Sequence, residues 1–140
     1  MSETAELPVM PKVETKGGVV AYLAIDGALK AAEFYKTAFA AEPVFHYPPD
    51  DQGRTMHVHI HINGSSVMIG DFYEEHGHAK TAPAGFSLAL MVSDIQTWFD
   101  RAVAAGCEPR MPPQEMFWGD TYAEVRDPFG VQWSMNQPRA

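Results

Sequence analysis

Cysteine is nearly missing from this sequence, with one residue, Cys107, among 140. A lone thiol excludes an intramolecular disulfide framework and any cysteine-rich zinc site. Basic side chains are also scarce, 10 Lys and Arg against 18 Asp and Glu, for a formal charge of -8 at pH 7. A surface that acidic repels a phosphate backbone, so nucleic acid is not an expected partner. Long apolar runs are lacking too. Stretches such as 17–25 fall far short of the roughly 20 residues a membrane helix needs, so no membrane partner is expected. Residues 1–10 carry Glu3 and Glu6 and no basic side chain, unlike the charged start of a secretory signal. No Gly-rich phosphate loop, nucleophile elbow or paired-cysteine motif occurs. What remains is 46% apolar and 20% charged, the composition of one folded domain expected in the cytoplasm.

Regular signals begin near Gly18. Residues 1–17 hold Pro8, Pro11 and Gly17 without periodicity and read as a loosely held tail. The apolar run 19–25, bounded by glycines, suits a buried strand. Ala31, Phe34, Tyr35, Ala38 and Phe39 then recur at steps of three and four, the stripe of a helix that Pro43 and Pro48-Pro49 prevent from continuing. Residues 55–62 alternate strictly. Met56, Val58, Ile60 and Ile62 make one face, and His57, His59 and His61 the other. Asn63-Gly64 supplies a two-residue hairpin turn, and 65–69 returns as the partner strand. Residues 73–84 read as a linking loop.

After that loop the order repeats. Phe86 to Val92 is a strand, and Ser93 or Asp94 caps a helix. The stripe of that helix is Ile95, Trp98, Phe99, Ala102 and Val103, ended by Gly106. Thr121 to Arg126 is a strand, Asp127-Pro128-Phe129-Gly130 a type I turn by residue type, and 131–135 the last strand. Glu42-Pro43, Gly53, Thr55 and Gly64 recur as Glu108-Pro109, Gly119, Thr121 and Gly130 at one constant interval. Matches at one spacing, joined to the same element order, indicate an internal duplication. The expected fold is α+β, two βαβββ repeats forming a cupped mixed sheet. The single domain spans 18–136, with modules 18–72 and 85–136 and a short tail at 137–140. Two such units can place their open faces together and enclose a cup.

Glu33-Phe34-Tyr35, Phe117-Trp118-Gly119-Asp120, Asp127-Pro128-Phe129-Gly130 and Gln132-Trp133-Ser134 occur in this order within the duplicated unit. Together they resemble the vicinal oxygen chelate superfamily, which includes glyoxalase I, extradiol dioxygenases and antibiotic-binding resistance proteins, and within it the PhnB-like branch. The resemblance implies a cup-shaped small-molecule site and a homodimer, with the cup formed within a chain or between swapped chains. Metal-binding members carry ligands at four cup-facing positions, which fall here on Val20, Met68, Ser87 and Ser134. None is a useful donor for a divalent cation, so no metal or other cofactor is expected at that site.

The histidines are the most unusual feature. Residues i and i+2 of a strand lie about 6.6 Å apart, so one zinc ion, with bonds near about 2.1 Å, joins two of them but not three. The matching polar face of the second half offers Tyr122, Glu124 and Arg126, if the register slips by one residue at the tighter first hairpin. A relocated metal site would then comprise His57, His59 and Glu124. The plainer reading makes the histidines the polar lining of a wet pocket. Tyr22, Phe117, Trp118 and Tyr122 are further candidates for its walls, although Phe117 and Trp118 suit core packing equally. Glu74, Glu75, His76 and His78 read as a solvated acidic patch, and Cys107 as a structural thiol. Three functions follow: a metal-free binder of an antibiotic- or metabolite-like molecule, an enzyme using the cup histidines with Glu124, and a metalloenzyme with a relocated site.

Overall fold

The computed structural model describes residues 11–140. The first half contains β1 (Ala21–Ala24), α1 (Ala28–Phe39), β2 (Glu42–His46), β3 (Val58–Ile62) and β4 (Ser65–Gly70). A short 3-10 turn at Glu74–His76 leads to β5 (Leu88–Met91), α2 (Ile95–Ala105), β6 (Glu108–Glu115), β7 (Thr121–Arg126) and β8 (Gln132–Gln137). The fold is therefore α+β, a βαβββ unit used twice. The strands form two four-stranded sheets, ordered β1-β4-β3-β2 and β5-β8-β7-β6. In each, the first and last strands of the unit run parallel and the other neighbours antiparallel.

Local chemistry sets the element ends. Asn63 and Gly64 turn the chain between β3 and β4 with φ of 50° and 83°, the left-handed backbone that a two-residue hairpin requires. Asp94 caps α2 by accepting the Thr97 N–H at 3.3 Å and the Thr97 hydroxyl at 2.7 Å. Helix α1 starts without a cap of its own. Instead Asp71, just beyond β4, accepts the Gly27 and Ala28 N–H groups at 2.8 and 3.2 Å through Oδ1. Its other oxygen accepts the Thr55 N–H at 2.8 Å. In the second half Gln137 does the corresponding work, its Oε1 accepting the Ile95 N–H at 2.9 Å.

Proline placement departs from the sequence reading. Pro43 serves there as a breaker, yet it lies inside β2, and Pro112 and Pro113 likewise lie inside β6. Both are outermost strands, where a missing N–H breaks no ladder bond, and β6 absorbs its prolines through two register shifts.

The helix-facing sides of both sheets share one core. Tyr35 and Phe39 of α1 are fully buried and pack on Trp133 of β8, with ring centroids 5.3 and 4.5 Å apart. Asp127, 3% exposed, joins the halves. Its Oδ2 accepts the Tyr35 hydroxyl at 2.5 Å and the Trp133 indole N–H at 2.9 Å. Its Oδ1 accepts the N–H groups of Phe129 and Val131, each at 2.9 Å. Burial and the neighbouring carboxylate push the Tyr35 hydroxyl far above its ordinary pKa, so it stays a donor. Arg101 of α2 adds a bond from Nε to the Ala38 carbonyl at 3.1 Å. The apolar sides being used against each other, the opposite face of each sheet points away from the core. No helix is long and apolar enough to cross a membrane among the described residues.

Candidate functional site

Strand alternation fixes what those outward faces carry. Tyr22 of β1 lies beside Met68 of β4, and Met68 beside His59 of β3. On the other sheet Ala89 lies beside Ser134, and Ser134 beside Glu124. His59 and Glu124 are thus equivalent, as the one-residue slip at the hairpin requires, and His61 answers Arg126, opposite Ser66 and Gln132 respectively.

On the first face Tyr22, His57, His59 and His61 form a continuous group. The ring centroids are 5.9 Å apart for Tyr22 and His57, 6.2 Å for His57 and His59, and 5.3 Å for His59 and His61. Tyr22, 55% exposed, donates its hydroxyl to the Met56 carbonyl at 2.6 Å. Burial holds the His57 pKa below its ordinary value. His59 is lowered by burial and then by the charges of His61 and His57. Both imidazoles are therefore neutral at pH 7. His57 Nε2 is buried and has no hydrogen-bond partner among the described residues.

Residues 14–16 close over part of this face. Lys16 donates its N–H to Ser66 Oγ at 2.8 Å and accepts the Ser66 N–H at 3.0 Å. Ser66 Oγ also lies 2.8 Å from His59 Nε2. His61 Nε2 meets the Glu14 carbonyl at 3.0 Å. A carbonyl only accepts, so Nε2 carries the proton. His59 is in consequence only 1% exposed.

The second face is organised by Glu124, which accepts the Tyr122 hydroxyl at 3.0 Å and the Gln132 amide at 2.9 Å. Burial, followed by the bond to Glu124, raises the Tyr122 pKa and keeps its proton in place. Trp118 stands 5.9 Å from the Tyr122 ring and 4.9 Å from Phe117. Phe117 is 96% exposed and Trp118 41%, so neither is a core residue. Arg126, at the far end of β7, lines a separate cleft under the linker.

The four positions that the family resemblance assigns to a metal do not suit one here. Val20, Met68, Ser87 and Ser134 offer an alkyl group, a thioether and two hydroxyls. Among the described residues no three His, Cys, Asp or Glu side chains come together in a way that could hold a metal ion. The relocated set is not assembled within one chain, because His59 lies in β3 of one sheet with His57 just before it, and Glu124 in β7 of the other. Glu74 and Glu75 enter the 3-10 turn, where Glu75 pairs with Arg54 at 3.0 and 2.8 Å and its carboxyl falls to about 2. Cys107 is buried, and burial with the nearby Asp127 pushes its thiol up to about 12, which suits a structural role. The period of two puts Ser66 and Gln132 on the cup side, in phase with Met68 and Ser134, although neither is among the expected site residues.

A duplicated βαβββ chain with a polar outer face on each sheet defines the class. The family model described as Glyoxalase/Bleomycin resistance protein/Dioxygenase superfamily matches residues 19–135, and the chain belongs to that superfamily. An uncharacterized protein of Mycobacterium bovis is 34% identical over 123 residues, covering 84% of this chain and 80% of that protein. A glyoxalase-related enzyme from Fulvimarina pelagi superposes with a TM-score of 0.71 at 26% identity, over 87% of this chain and 88% of its own. A Bacillus cereus protein described as a putative 3-demethylubiquinone-9 3-methyltransferase, PhnB protein, shares the fold. Its TM-score is 0.67 at 23% identity, over 87% of this chain and 100% of its own.

Proposed function

We propose that this protein binds a small, metabolite- or antibiotic-like molecule without a metal, in a cup made from the first face of one copy and the second face of another. The observation that carries this reading is the direction of the two faces. The helix sides are consumed in the shared core, so each chain offers two separate half-sites. Tyr22, Met91 and Met56 stay half exposed beside them, apolar surface that a second copy would cover. Symmetric pairing would give two identical cups per dimer, each uniting His57 of one protomer, backed by the buried His59, with Tyr122 and Glu124 of the other. The resemblance to glyoxalase-related and PhnB-like proteins supports the same reading.

The test combines assembly, metal content and binding on tag-free protein. Sedimentation should give a dimer, and metal analysis well under one equivalent of zinc, nickel, manganese or iron. Hits from a metabolite and antibiotic library, read as thermal shifts, should be weakened by both His57→Ala and Glu124→Ala. A monomer would defeat the shared cup. A full equivalent of metal lost in His57→Ala would install the relocated metal site instead. The unpartnered Nε2 of His57 favours a second reading, acid–base catalysis on the bound molecule, with His57 neutral and able to accept a proton. Turnover abolished by His57→Ala with binding retained would establish it.

A further inference from the structure

Each half is entered through a lead-in segment, residues 14–18 before β1 and the linker 80–86 before β5. In the first half the lead-in closes down on the sheet, and the Glu14 carbonyl satisfies the His61 N–H at 3.0 Å. In the second half it stands off. Between the linker and the matching positions of β7 and β8 is a cleft of about 410 Å³, lined by Ser87, Arg126, Gln132 and the backbone of Pro83 to Phe86. Arg126 occupies the register of His61, yet nothing among the described residues plays the part of the Glu14 oxygen. Its guanidinium makes no hydrogen bond or ion pair among the described residues, while Glu108, its cross-strand neighbour, is engaged by Arg110 at 3.5 Å.

Charge and shape give the occupant. A second cleft of about 280 Å³ adjoins the first through Pro83, Ala84 and Phe86, and its far wall is Tyr22, Phe72 and Val131. A third, on the other side of Arg126, adds Lys80 and Asp26, which pair with each other at 3.0 Å. The connected groove thus carries Arg126 and Lys80 against Asp26, a local positive excess in a chain whose formal charge is -8. We propose that this groove binds a small organic carboxylate, its anionic group held by Arg126 with Ser87 and Gln132, and its apolar part against Tyr22, Phe72 and Phe86. A guanidinium presents paired N–H donors that match a carboxylate, and the missing oxygen of the second half is supplied by the ligand. Both walls belong to one chain, and the groove borders the faces of the proposed cup through Tyr22, beside His57, and Gln132, bonded to Glu124.

The probe is 3-phenylpropanoate, with its uncharged amide as control, titrated into the intact protein at low salt and followed by backbone NMR shifts. The carboxylate should move the amide signals of Ser87, Gly130 and Gln132 and bind about tenfold more tightly than the amide, the range of a charge-assisted hydrogen bond. Arg126→Gln should erase that preference, Arg126→Lys retain part of it, and Lys36→Gln, on the exposed side of α1, leave it unchanged. Melting curves matched to the parent confirm that the variants are folded. Equal binding of acid and amide, an unaltered preference in Arg126→Gln, or shifts confined to the His57 face would each overturn the proposal.

Discussion

The chain passes from β3 to β4 through Asn63 and Gly64 alone, but from β7 to β8 through the longer turn that begins at Asp127. The short turn only reverses direction, its one outside bond running from the Asn63 amide to the Met91 carbonyl at 2.8 Å. The long turn turns its first side chain inward and makes it the acceptor for Tyr35, Trp133 and two backbone N–H groups. A duplicated unit has thus divided its duties. The first half presents a histidine face under a closed lead-in, and the second supplies the polar lock of the core and leaves its own lead-in open.

The sharpest way to break this comparison is to remove the two turn residues separately. Asp127→Ala strands three buried donors and one part-buried one, and should lower unfolding stability by about 3–4 kcal/mol in a urea melt. That is a large share of the roughly 5–15 kcal/mol typical of a domain. Asn63→Ala places a methyl side chain at positive φ and should lower it by only about 1 kcal/mol. Equal losses would remove the asymmetry.

The helix starts give a smaller contrast. Asp71→Ala deletes the acceptor for two N–H groups at the positive end of α1 and for the Thr55 N–H and should cost about 2 kcal/mol, whereas Gln137→Ala deletes one bond and should cost about 1 kcal/mol or less. Hydrogen exchange should localise each effect to its own helix N-terminus.

The smallest effect is a pH profile that belongs to one half only. His57 and His59 have folded pKa values below the ordinary 6.5, so the unfolded chain binds more protons as pH falls through that value. Stability contributed by these neutral imidazoles is therefore present above 6.5 and lost as pH falls from there towards the folded values. A His57→Gln, His59→Gln double variant should flatten the slope of stability between neutral and mildly acidic pH. Tyr122→Phe, on the half without face histidines, should leave that slope unchanged.

Much of this was readable in the chain, and the boundary has physical causes. The α1 and α2 stripes, the histidine alternation, the Asn63-Gly64 turn and the equivalence of His59 with Glu124 are local patterns, set by periods of 3.6 and 2. Strands β2 and β6 were hidden because proline is a breaker by propensity and is tolerated only when the strand lies at an edge, a tertiary fact. Asp127 is legible as a turn residue, but its role as an acceptor for Tyr35 depends on how the halves pack. So does the direction of the open faces. The separation of Arg126 from Tyr122 and Glu124 arises from the path of the linker, which has no periodicity to read.

The prolines of β2 and β6 also set the valency of the molecule. Sheets grow by adding strands at their edges, and each sheet here has one edge blunted by residues that cannot donate a ladder bond. Pairing by strand addition is thereby confined to the β1 and β5 edges, and the β2 and β6 edges are guarded against it by the same residues that, in the linear sequence, look like interruptions.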